Sequence, residues 1–198
     1  MKLAHSGVAA LLSLCVLCAC TTDASKPRGE SSPVPSSTPE ASSPKSEMPA
    51  WHDRFTAEQI DAYEAALLRW QEYTAKGNEI YRSGRDTPQA RAVLREYSME
   101  WQLRVRELAQ VYDQGAVRIV SPESALSWKP ISITDKVVVI SQCTDYTNLL
   151  VTQEGEPVKG TRPDNLVTPL LIEMDKPVGR DWMVATTNLK DERPCAAR

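Results

Sequence analysis

Histidine is almost missing from this chain. There are two, His5 and His52, and neither lies well inside the part whose composition can fold. That removes the usual base of a Ser-His-Asp or Cys-His nucleophile, and with it the His-x-x-x-His pair that holds zinc on a helix. An excess of positive charge is also lacking. Residues 51–198 carry 19 Lys and Arg against 22 Asp and Glu, so the basic footprint of a nucleic-acid binder is not there. Beyond residue 20 there is no Cys-x-x-Cys and no Asp-rich calcium loop, and the glycine-bounded stretch 77–84 lacks the Gly-Lys-Ser/Thr ending of a phosphate loop. These absences point to no metal and no cofactor. The one largely apolar run, residues 8–18, is too short to cross a bilayer as a helix, which takes about 20 apolar residues.

What is present at the start is an address. Lys2 precedes the apolar run, whose length suits the hydrophobic region of a signal peptide. The run closes on Leu17-Cys18-Ala19-Cys20. The pattern Leu-x-Ala-Cys resembles the lipobox of bacterial lipoproteins. The resemblance implies a signal peptide over 1–19, cleavage before Cys20, and a diacylglyceryl group on the Cys20 thiol. The other reading is an ordinary secretory leader cut after an Ala-x-Ala-like site. On both readings the mature protein lies outside the cytoplasm; on the first it is anchored to the extracytoplasmic face of the cell membrane. One acyl chain holds a protein marginally and two hold it stably, each buried methylene adding about 0.8 kcal/mol. Residues 20–50 are dominated by Ser, Pro, Thr, Lys and Glu. They cannot bury enough apolar surface to offset ordering entropy, so a disordered leash is expected. It would span roughly 30 Å as a flexible coil and roughly 90 Å fully extended.

The folding part, residues 51–198, has single-domain length. It retains two thiols, Cys143 and Cys195, an even pair that in an exported protein reads as a disulfide. Its loop of roughly 50 residues would add about 4 kcal/mol of stability in the chain-entropy model. Two helices are expected first. Thr56-Ala57-Glu58-Gln59 is a capping box behind Phe55, and Ile60, Tyr63, Leu67, Trp70 and Thr74 follow at helical spacing. Glu72 and Lys76 are spaced as an exposed i,i+4 pair. Gly77 either ends this helix or sits inside it, and 83–86 is a turn. Thr87-Pro88 opens a second helix with the stripe Ala90, Val93, Leu94, Tyr97, Trp101, Leu108 and Val111, stopped by Gly115. Its arginines read as a solvated face, with Glu100 and Arg104 paired. After Gly115 the period changes to short β-branched runs: 116–120, 129–134, 136–143, 149–153, 166–174 and 182–187. The run Val137-Val138-Val139-Ile140 suits a central strand. Helices first and a strand meander after them argue an α+β domain, with the helices packed on one face of a curved antiparallel sheet.

This element order, the last strand Gly179-Arg180-Asp181-Trp182-Met183-Val184, the hairpin at 150–155 and Cys143-x-Asp145 resemble the NTF2-like superfamily of SnoaL and ketosteroid-isomerase type, in its small exported actinobacterial lipoproteins. The resemblance implies a cone in which the sheet wraps a pocket closed by helices, and dimers formed through the outer sheet face. It also implies, for the enzymes of the group, a pocket Asp with a Tyr or a second acid. Asp145 and Tyr146 are the positions that would match, although Asp145-Tyr146-Thr147-Asn148 is equally a turn sequence. Tyr63, Trp70, Tyr97 and Trp101 would line the pocket, or serve as core. Three functional readings stand at this point. The first is a tethered, non-catalytic domain that binds a small apolar ligand or a cell-envelope protein. The second is an isomerase or dehydratase using a pocket carboxylate, and the third a structural cell-wall spacer with a filled core.

Overall fold

In the computed structural model, which describes residues 49–190 and Cys195, the first long helix begins at the expected capping box. Cys20, the signal peptide and nearly all of the expected leash lie outside the described residues. At the head of α1 (Ala57–Ser83), the Thr56 hydroxyl accepts from the Gln59 amide at 3.3 Å. Gln59 Oε1 accepts from the Thr56 amide at 2.9 Å. The same side chain donates through Nε2 to the Ile133 carbonyl at 3.0 Å, tying the helix start to the end of a strand. Gly77 is buried inside α1, and the helix stops at Gly84. There φ is 58°, a left-handed value that glycine adopts without a Cβ penalty. The Arg118 guanidinium lies over Gly84 and donates to the carbonyls of Val117 and Tyr112.

The second expected helix is broken. Thr87 caps α2 (Pro88–Tyr97), Ser98 is extended with φ −118° and ψ 133°, and α3 (Trp101–Glu107) runs into a π-helical turn over Leu108–Gln114. The break serves the sheet. Ser98 forms a parallel bridge with Val184, and the Met99 amide donates to the Val184 carbonyl at 2.9 Å. A strand-edge carbonyl is thereby satisfied at the expense of helix continuity. Two stripe residues leave the core as a result. Trp101 is half-buried under the Arg95 guanidinium, 4.8 Å from its ring centre, and Val111 is 46% exposed. The expected Glu100–Arg104 pair is replaced: Arg104 pairs with Glu107 at 3.3 Å.

Seven strands follow: β1 (Val117–Ser121), β2 (Ser124–Ile133), β3 (Val137–Asp145), β4 (Leu150–Gln153), β5 (Glu156–Pro157), β6 (Val167–Asp175) and β7 (Met183–Leu189). Every strand pairing is antiparallel, so the class is α+β as expected. The single meander is not what forms. The ladders separate into β2-β3-β6-β7 and β1-β4-β5, because the turn after Asp145 carries the chain off β3 to pair with β1. Glu154 and Gly155, with φ of 52° and 91°, make the tight hairpin turn between β4 and β5.

β3 is internal to its sheet, and its residues alternate strictly. Val138, Ile140, Gln142 and Thr144 are buried, while Val137, Val139, Ser141, Cys143 and Asp145 are half-buried on the opposite face. Tyr63, Ala66 and Trp70 of α1 pack on the first set, with Ile133, Ile172, Met174, Trp182 and Val184. A large apolar side chain buried this way contributes about 1.5–3 kcal/mol. A second cluster joins Ile80 of α1 to Ala90, Leu94 and Leu108. On the far face of β3, the sulfurs of Cys143 and Cys195 lie 2.09 Å apart, at bonding distance, as the cysteine count anticipates.

An added Cβ at Gly84 would fall 2.1 Å from the Arg118 guanidinium, on top of the left-handed strain. Gly84→Ala is therefore expected to destabilise the fold by about 2 kcal/mol or more in urea unfolding. In an Arg118→Ala background the loss should shrink to about 1 kcal/mol, the share owed to φ alone. Equal losses in both backgrounds would mean the guanidinium does not set that space.

Candidate functional site

The inner face of the four-stranded sheet changes character along its length. Val138 and Ile140 on β3 face Met174 and Ile172 on β6; two residues further, Gln142 faces Leu170, and Thr144 faces Thr168. Gln142, Thr144 and Thr168 are buried. Gln142 is the hub of this polar end. Its Oε1 accepts from Trp70 Nε1 at 2.7 Å and from Trp128 Nε1 at 3.0 Å, and its Nε2 donates to Thr144 Oγ1 at 3.0 Å. Thr168 donates to the Lys190 carbonyl at 2.9 Å. The cluster holds no titratable side chain and its amide already makes three hydrogen bonds within the protein, so it orients the core. Alternation puts Gln142 on the face opposite Cys143 and Asp145, which is readable in the sequence; that this face is the buried one comes from the structure. Nothing in the sequence names two tryptophans as its donors.

The residues proposed as pocket lining separate. Tyr63 and Trp70 are core, packed with sheet residues. Tyr97 is buried between α1 and α2, where its hydroxyl accepts from Lys76 Nζ at 2.6 Å and donates to Glu72 Oε2 at 3.1 Å. Glu72 and Lys76 thus converge on Tyr97 instead of on each other. The Arg69 guanidinium stacks 3.7 Å over the same ring and pairs with Glu72 at 3.1 Å and Glu96 at 2.9 Å. Trp101 lies apart from all three, under Arg95.

The carboxylate considered for catalysis is occupied otherwise. Asp145 ends β3 on the face opposite the α1-packed core, and its Oδ1 accepts from the Thr147 amide at 2.8 Å. The Thr147 hydroxyl and amide hold its carboxyl below the ordinary carboxylate range, the reverse of what a general base near neutrality needs. Tyr146 is buried at the turn, its amide donating to the Leu166 carbonyl at 2.7 Å. The turn reading of 145–148 describes this geometry.

Three concavities among the described residues lie at the periphery. One of about 320 Å³ runs under the loop after β5, with Leu150, Val158 and Arg162 in its lining. Another of about 400 Å³ follows the α1–α2 seam past Lys76, Ile80 and Val93. A third, of about 220 Å³, lies between α1 and the residues leading into β7. None of these three is lined by Tyr63, Trp70, Tyr97 or Trp101. Compared with known proteins, the chain matches no family model, no curated protein and no solved structure.

Two outcomes follow from the buried groups. Gln142→Leu strips two indole N–H groups of their acceptor and should cost about 2–4 kcal/mol in chemical unfolding; an unchanged midpoint would show that the indoles are satisfied elsewhere. The tyrosines give a pH dependence. Burial, with the Glu64 charge, pushes the Tyr63 phenol up to about 12, and burial likewise raises Tyr73, Tyr81 and Tyr112. An unfolded tyrosine titrates near 10, so their stabilisation is complete below about pH 10 and is lost as pH rises above it, through about 12 for Tyr63. Tyrosinate absorbance and circular dichroism should therefore change together in that window. Full tyrosinate absorbance with the fold intact would contradict it.

Proposed function

We propose that this chain is a membrane-tethered, extracytoplasmic lipoprotein whose α+β domain, of the NTF2-like cone type, binds without catalysis a small apolar ligand or a protein of the cell envelope. The observation that carries the reading is the Cys143–Cys195 pair at bonding distance. Disulfides persist in oxidising compartments, which is where Leu17-Cys18-Ala19-Cys20 would send the chain. The binding part is supported by what the candidate acid does: Asp145 caps a turn. Between the two kinds of ligand, the core packing favours an envelope partner met at the surface. Tyr63 and Trp70 occupy space between α1 and the sheet that an enclosed apolar ligand would need.

Fractionation of a lipoprotein-processing bacterium expressing the full chain tests the tether. Wild type should require detergent for release, and Cys20→Ser should appear in the soluble extracytoplasmic fraction. The denatured mass should be short by the two hydrogens that a Cys143–Cys195 bridge removes. A Cys20→Ser chain that still needs detergent, or a mass with both thiols free, would overturn the reading.

A further inference from the structure

The cleft of about 220 Å³ between α1 and the start of β7 is lined by Ala65, Leu68, Arg69, Glu72, Asp181 and Trp182. Two of these residues carry a buried N–H with no acceptor in the protein, Trp182 Nε1 and Arg69 Nε. Trp182 is 4% exposed, and the Lys176 ammonium sits 5.6 Å from its ring centre. The terminal nitrogens of Arg69 are committed to Glu72 and Glu96, and its plane is held on Tyr97. The guanidinium is therefore fixed in place with its Nε–H left without a partner. An unpaired buried N–H costs about 1–3 kcal/mol, and nearly all buried polar groups find partners. Two such donors, buried on residues that line one cleft, find no acceptor among the described residues: the remaining buried unpaired group, Asp175 Oδ1, is an acceptor that neither reaches.

The rest of the lining selects the chemistry. The Glu72 and Asp181 carboxylates disfavour a free anion and offer acceptors, while Arg69 disfavours a cation. Leu68, 59% exposed, and the Trp182 ring add apolar surface. A neutral group with a carbonyl oxygen for the two donors and an N–H for a carboxylate meets all of these demands. We propose that this cleft binds a secondary amide, its carbonyl oxygen accepting from Trp182 Nε1 and Arg69 Nε as a lining side chain moves aside. The volume suits one acetamido group or one peptide unit. The inference rests on the binding reading above and names the chemical class of its ligand. N-acetylated sugars and peptides both present this group.

Proton–nitrogen correlation spectra of the full-length chain resolve the indole N–H groups of its five tryptophans, and the signal missing in Trp182→Phe assigns Trp182. Titration uses N-acetylglucosamine, N-acetylalanine methylamide, and glucose as the probe without an amide. A saturable shift of the Trp182 indole proton is expected with at least one amide probe and none with glucose; the probe that binds more tightly identifies the source. Trp182→Phe should weaken binding about ten-fold, the loss of one good hydrogen bond. If that variant fails to fold, the wild-type shift still decides, with the Trp182 signal identified by sequential assignment. A Trp182 signal unmoved by both amides overturns the proposal. When other signals move while that one stays, the cleft assignment falls and the binding reading survives.

Discussion

A single carbonyl oxygen, Gln142 Oε1, receives indole N–H groups from two elements at once: Trp70 on α1 and Trp128 on β2. Hydrophobic contact is indifferent to small slides of a helix over a sheet, whereas a buried donor must meet its acceptor within a few tenths of an ångström. This junction therefore sets where α1 lies over β3. With Trp70 turned onto the sheet, the preceding residue, Arg69, comes to the α2 side, against Tyr97 and Glu96. One turn further along, Glu72 and Lys76 close on the same phenol. The sheet-facing core and the α1–α2 clamp are consequences of one axial placement.

α1 is the element shared by all the packing. Its first half covers the four-stranded sheet, and Ile80 joins the second cluster with α2 and the π-helical turn. Gly84 lets its end meet Arg118 of β1, in the separate three-stranded ladder. The helix side of the sheet is thus taken up by packing. Three concavities lie on the periphery: the α1–β7 cleft, the α1–α2 seam and the groove under the loop after β5. A domain built this way keeps its interior filled and leaves its concavities at the seams between elements.

Much of the local structure was legible in the chain. Thr56 with Gln59, and Thr87 ahead of Pro88, place helix starts through local capping hydrogen bonds, and the period change at Gly115 marks where helices give way to strands, with no need of distant partners. What escaped was governed by long-range pairing. The stripe from Ala90 to Val111 is periodic enough for one helix. Ser98 leaves it because a carbonyl 86 residues away, on Val184, takes the neighbouring Met99 amide. The meander divides in two because β4 pairs back to β1, a choice that residues 149–153 alone do not encode. Trp101 was misread as core for the first of these reasons.

By itself the sequence determined the α+β class, the capping box at Thr56, the Thr87 cap and the partnership of Cys143 with Cys195, because each depends on neighbours in the chain or on a count with a single solution. Tertiary structure decided the rest. It made Gln142 the hub, put Asp145 on the face away from the α1-packed core, and brought two unpaired donors, Arg69 and Trp182, to one cleft. Those outcomes depend on which distant groups arrive in the same few ångströms. Hydrogen-bond satisfaction in a desolvated interior is settled only once every element is in place.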